Sequence, residues 1–151
     1  MPEITIRRAS REDAATVIKL LTALAEYEKL TPPNAASQER LSAELTSANP
    51  RFEAYLAESD GKAIGYAIVF ETYGSFRAKS KLYIEDLFVL PEYRGRGAGK
   101  TLFEAMVEQG RIRGCGAVEW TALDWNIPAH EFYRRMGGRR LDAWQVFQLE
   151  L

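Results

Sequence analysis

Cysteine and histidine are nearly absent from this chain of 151 residues, which has one of each, Cys115 and His130. A lone cysteine forms no internal disulfide, and a single cysteine and histidine without clustered partners supply no zinc ligand set, so no metal is expected. Cys115, in the tripeptide GCG ahead of an apolar segment, reads as a packed thiol, and His130 reads as an ordinary structural residue. No apolar run approaches the roughly 18 residues of a membrane span, and the opening MPEITIRRAS lacks the apolar core of a signal peptide. A cytoplasmic protein without membrane contact is expected. The formal net charge is only -1, which provides no global basic field for nucleic acid, so any attraction to phosphate must be local. Internal repeats, low-complexity tracts and linkers are also missing.

What is present is the composition of a globular protein, 46% hydrophobic and 27% charged, at a length suited to one domain over residues 1–151. EITIRR alternates like a short strand. Ser10 and Asp13 then form a capping box opening a helix, with Val17, Ile18, Leu21, Leu24 and Ala25 as its apolar stripe and its end near Leu30, ahead of Pro32 and Pro33. A weaker helix spans Gln38 to Ala48. FEAYLAES and KAIGYAIVFET are two strands around an Asp60-Gly61 hairpin turn. KLYIEDLFVL is a long, mostly buried strand that stops at Pro91. Helical spacing resumes from Ala98 to about Arg113. GAVEWTAL is a strand, Asn126 caps a short helix with Pro128 in its first turn, and Gly137-Gly138 ends that helix. The tail RRLDAWQVFQLEL reads as a final strand. A mixed sheet flanked by helices is the economical packing of this order.

The chemistry concentrates in YRGRGAGKT, Tyr93 to Thr101, where three alternating glycines and three cations stand at a strand-to-helix junction. A nucleoside-triphosphate loop requires glycine where Arg94 stands, and a dinucleotide fingerprint requires glycine where Lys100 stands. A purely structural turn explains one or two glycines. The remaining reading is R-x-x-G-x-G, spelled by Arg94, Gly97 and Gly99. Glycines let successive backbone N–H groups converge on an anion, and the helix N-terminus adds positive potential at the same place. This arrangement suits a pyrophosphate.

These residues resemble the coenzyme A loop of the GNAT superfamily of N-acetyltransferases. AEYEKL, LYIEDLFVLPEYRGRGAGKTL and DWNIPAHEFYRRMG match it in order across nearly the whole chain. More narrowly, the sequence is similar to the diamine (spermidine/spermine) N-acetyltransferase branch, through Tyr27-Glu28, Leu82 to Val89, Trp125-Asn126-x-Pro128 and Trp144. The resemblance implies an α/β (α+β) fold, a mixed and mostly antiparallel sheet of about six to seven strands flanked by about four helices. It also implies acetyl-CoA as cosubstrate, a small-molecule amine as acceptor, direct transfer in a ternary complex, and a homodimer.

It further implies which residues act. Leu87, Phe88 and Val89 would offer free backbone groups to the pantetheine arm, Arg94, Gly95, Arg96, Gly97, Ala98, Gly99 and Lys100 would hold the pyrophosphate, and Asn126 and Ala129 would contact the coenzyme. Tyr133, also at the coenzyme, would protonate the departing thiolate. Strand alternation sends Glu85 and Asp86 to opposite faces, so that only one reaches the acetyl group, and the match to the family motif implies that Glu85 is the catalytic carboxylate. Tyr27, Glu28, Glu85, Asp86, Asp142 and Trp144 would surround the amine. In the branch, an acid-proline pair and a tryptophan occupy the positions of Gly74-Ser75 and Phe76. Here Arg77, Lys79 and Lys81 follow, which would repel a long polyamine and welcome the carboxylate of a lysine-like amino acid. The alternatives are transfer to a protein or peptide amine, and a non-catalytic acyl-CoA-sensing module.

Overall fold

Ser10 opens the first helix as its spacing to Asp13 predicts, its backbone N–H donating to the Asp13 carboxylate at 2.7 Å. Arg7 grips the same carboxylate with two bonds, at 2.8 and 2.9 Å, and holds it well below the usual carboxylate range. The computed structural model describes residues 2–151. In chain order it contains β1 (Ile4–Arg8), α1 (Ala14–Tyr27), α2 (Ala35–Leu45), β2 (Glu53–Ser59), β3 (Lys62–Gly74), β4 (Lys79–Val89), α3 (Ala98–Ile112), β5 (Ala117–Trp120) and α4 (Ile127–Arg135). The chain divides into two compact units, one running to Thr121 and the other from Ala122 to Leu151.

Helix boundaries differ from the expected ones, α2 also ending at Leu45, short of Ala48, and two of the differences have local reasons. α1 stops at Tyr27, short of Leu30, because Lys29 adopts a left-handed conformation (φ 59°) that closes the helix through Lys29 N–H to Glu26 and Leu30 N–H to Ala25. This is the paired-bond helix end normally built on glycine. α2 begins at Ala35, ahead of Gln38, because the Asn34 side chain accepts from the Ser37 N–H at 2.9 Å and caps it there.

The sheet order is β1-β2-β3-β4-β5, with the first three pairs antiparallel and β4-β5 parallel through α3. α1 covers one face, where Val17 and Leu20 pack with Leu56, Tyr66, Ile68 and Phe88. α3 covers the other through buried Leu102, Phe103 and Met106, with Gly110 lying against Val118 and Leu82. The mixed, mostly antiparallel architecture with four helices is as expected, but the sheet has five strands, not six to seven. β5 is confined to four residues, and among the described residues 139–151 pair with no strand. Among the described residues the tail's large apolar side chains are exposed, Trp144 at 76% and Phe147 at 92%.

Candidate active site

The parallel ladder between β4 and β5 ends at the Ile84–Trp120 pair, and from there to Val89 β4 pairs only with β3. The strand thereby leaves one edge of Leu87, Phe88 and Val89, the splayed segment, outside the ladder. A 3-10 turn (Pro91–Tyr93) leads into the glycine loop. Gly95 and Gly97 have φ values of 77° and 84°, and a Cβ on either would meet nothing within 4 Å. Glycine is needed there for its backbone conformation, which leaves open space beside the loop. α3 starts at Ala98 with Gly97 as its N-cap and no side-chain cap, and its first bond runs from Thr101 N–H to the Gly97 carbonyl. The N–H groups of Ala98, Gly99 and Lys100 therefore lack helical acceptors at the positive end of a 15-residue helix. This donor set fits a pyrophosphate. Arg96 lies 5.7 Å from the Tyr93 ring centre, and Lys100 pairs loosely with Glu104. The Arg94 side chain turns away from the loop, its Nε donating to the Val89 carbonyl at 3.0 Å.

Beside this segment is a cavity of about 350 Å³ whose walls include Leu24 of α1, Leu41 of α2, and Ile68 and Phe70 of β3, with Glu28, Glu85 and Asp86 as its acids. The expectation that Glu85 and Asp86 face opposite ways is wrong. The β3–β4 register shifts between Ile68 and Val69, which pair with Asp86 and Ile84, so Glu85 is an extra, unpaired residue. Tyr83, paired with Phe70 and packed on its ring at 5.3 Å, lies on the α1 face. Alternation carries Glu85 to that face, and the bulge then resets the count so that Asp86, opposite Ile68, faces it too. Both carboxylates line one cavity.

None of the lining residues is basic, so the acids are compensated by no protein cation in the wall. Burial pushes the Asp86 carboxyl up to about 6, with the charges of Glu85 and Glu28 adding to the effect and Tyr66 pulling it partly back. Burial raises Glu28 as well. The Tyr66 hydroxyl is sealed from solvent beside Asp86 without full hydrogen-bond geometry. Tyr66 did not stand out in the sequence because its place in the alternating β3 pattern reads as ordinary core. An anionic, largely apolar cavity would suit a cation with an alkyl chain.

The remaining sequence candidates are distributed as follows. Tyr27 is not among the cavity walls; its ring packs 6.0 Å from Phe88 and under Arg94. Asn126 caps α4 by accepting from the Ala129 N–H, and His130 bonds the Leu123 carbonyl at 2.8 Å, the structural role expected of it. Phe132 and Tyr133 meet edge to face on α4, which ends through Gly137 N–H to Arg134 and Gly138 N–H to Tyr133. Asp142 pairs with Arg140, and Trp144 is exposed on the tail. Cys115 is half-buried, and burial with the nearby Glu71 charge pushes its thiol up, the reverse of an activated thiolate. Among the described residues no group of three or more His, Cys, Asp or Glu is placed to hold a metal, and no helix is long and apolar enough to cross a membrane.

Comparison with known proteins places the chain in a family. Thialysine N-epsilon-acetyltransferase of Sus scrofa is 32% identical over 161 residues, covering 99% of this chain and 94% of that protein. Spermidine/spermine N(1)-acetyltransferase-like protein 1 of Homo sapiens is 25% identical over 98% of this chain and 23% of its own length. The crystal structure of a possible acetyltransferase from Clostridium difficile 630 superposes with a TM-score of 0.85 at 19% identity, covering 98% and 97% of the two chains. The profile of the Acetyltransferase (GNAT) family matches residues 17–138, and the chain is therefore an acetyltransferase of the GNAT family.

Proposed function

We infer that this enzyme moves the acetyl group of acetyl-CoA to the primary amine of a small molecule, a diamine or a lysine-like amino acid, by direct attack in a ternary complex. The observation that carries this reading is the bulge at Glu85. It brings Glu85 and Asp86 together with Glu28 into one apolar cavity, directly before the splayed segment of β4. Acetyl-CoA supplies the activated thioester; the chain's own residues have to bind it and manage two protons.

The uncapped N-terminus of α3 and the open glycine loop would hold the pyrophosphate, and the unpaired backbone of Leu87 to Val89 would lie along the pantetheine arm. An alkylammonium with a pKa near 10.4 costs roughly 4–5 kcal/mol to deprotonate at pH 7. Asp86, with a carboxyl near 6, is ionised at neutral pH and yet basic enough to accept that proton, so it takes the base's part that the sequence favoured for Glu85. Glu85 and Glu28 would anchor the cation. Tyr133 would return a proton to the thiolate, as the resemblance implies. The similarity to thialysine and spermidine/spermine acetyltransferases supports an ω-amine on a flexible chain.

The test is thiol release from acetyl-CoA with a panel in which each amino acid is paired with the diamine left by removing its carboxylate. Turnover with at least one member is expected. The lining, whose charged residues are all acidic, further predicts that the diamine outruns its amino acid. Silence across the panel, with coenzyme A still bound in calorimetry, would favour the sensing module. The reading also includes a homodimer, supported by the exposed apolar tail, and a cytoplasmic setting, supported by the lone half-buried thiol.

A further inference from the structure

We propose that Arg94 is a positioning residue whose side chain couples the coenzyme loop to the acceptor cavity by clamping the end of α1; this rests on the functional reading above. Arg94 is the first residue of the glycine loop, yet its guanidinium is committed to protein groups. Its Nε donates to the Val89 carbonyl at 3.0 Å, and its centre lies 4.3 Å from the Tyr27 ring and 5.4 Å from the Phe88 ring. One side chain therefore touches the end of β4, a core aromatic of the splayed segment, and the last residue of α1. A planar guanidinium stacked on one ring while bonding a carbonyl in its plane is a geometry that lysine cannot reproduce.

What the clamp holds follows from the chain. Glu28, next after Tyr27, caps α1 and is one of the three acids of the cavity. Lys29 then sits at φ 59° without being glycine, a conformation that must be maintained by surrounding contacts. The Arg94–Tyr27 stack lies two residues before this turn and reaches across to it from the loop. Ordering that loop around a pyrophosphate fixes Arg94, Arg94 fixes Tyr27, and Tyr27 fixes the carboxylate that meets the amine. The amine's affinity should therefore depend on coenzyme through this side chain.

Two measurements test this, one of them independent of turnover. In hydrogen exchange, Arg94→Gln and Tyr27→Leu should each speed the amides of residues 25–30 about tenfold, whereas Tyr27→Phe, which keeps the ring, should leave them at the wild-type rate. Adding coenzyme A should slow those amides in the wild type and have no effect on them in Arg94→Gln, although coenzyme A still binds with at most about a threefold weaker Kd. In steady-state kinetics, Arg94→Gln, Arg94→Lys and Tyr27→Leu should raise the amine KM about tenfold with kcat changed less than about threefold. The Arg94→Gln/Tyr27→Leu double variant should be no worse than either single one. Unaltered exchange at residues 25–30 in Arg94→Gln would overturn the clamp. So would a large loss of coenzyme affinity with the amine KM unchanged, which would make Arg94 a phosphate ligand. A wild type that neither binds coenzyme A nor turns over any amine would instead sink the functional reading and leave the exchange result to judge the clamp.

Discussion

Asp86 carries the sharpest conflict between stability and function. Its carboxyl is pushed up to about 6 mainly by burial, against an ordinary value near 3.9. Between those two pH values the folded state holds a proton that the unfolded state has released. Stability therefore falls as pH rises through that window and stays lower above it, by up to about 3 kcal/mol at one pH unit per 1.36 kcal/mol. Asp86→Asn should stabilise the fold by about 2 kcal/mol at pH 7.5 and change it little at pH 4, while turnover drops by about a hundredfold or more if Asp86 is the base. Urea unfolding at the two pH values and a thiol-release assay read both effects. A variant less stable at pH 7.5 than the wild type, or one with undiminished turnover, would remove Asp86 as a buried base. Glu85→Gln should act differently, raising the amine KM more than it lowers kcat, because its part is to hold the cation.

At the scale of elements, the active segment depends on how closely β3 follows β4 after the bulge. A Cβ on Gly65 would stand 2.6 Å from the Phe88 carbonyl oxygen and 3.1 Å from the Val89 side chain. The obstructing group is backbone, so it cannot swing aside, and Gly65→Ala must push β3 off the splayed segment. A loss of about 1–3 kcal/mol in stability, typical of overpacking, is expected, together with a coenzyme A Kd weakened about tenfold, measured by calorimetry on protein shown to be folded. Wild-type affinity in that variant would mean that β4 positions the coenzyme without support from β3. The glycine loop, the Asp60–Gly61 turn and the caps at Ser10 and Asn126 were legible in the sequence because each is a local device with its own residue signature. The bulge at Glu85 was not, because an inserted residue leaves the apolar runs on either side intact while reversing which face the next side chain takes. Nor was the docking of Arg94 on Tyr27, residues far apart in sequence and each individually consistent with a ligand role.

At the scale of the whole molecule, the tail is what one chain leaves unexplained. Its alternation is that of a strand, with Phe147, Leu149 and Leu151 on one side and Trp144 and Val146 on the other, yet these residues are 76–117% exposed. Burying each large apolar side chain is worth about 1.5–3 kcal/mol, and a segment with this strand-like alternation can pair with another chain. If the proposed homodimer exchanges this element between two copies, each tail would gain both a ladder and a surface to bury against on its partner. The core described above is built from residues up to Trp120, so a chain ending at Arg140 should still fold. Light scattering after size exclusion should then give a dimer for the full chain and a monomer for the truncated one. Phe147→Asp with Leu149→Asp should weaken dimerisation at least about a hundredfold by the same burial arithmetic. Asp142 and Trp144, read from the sequence as acceptor-site residues, lie on this tail, so the specific activity of the full chain should fall with dilution along the same curve as its dimer content. A full chain that is monomeric at high micromolar concentration, or a truncated one that remains dimeric, would show that the tail is not the dimer's element. Activity indifferent to dimer content would free the acceptor site from any dependence on the second copy.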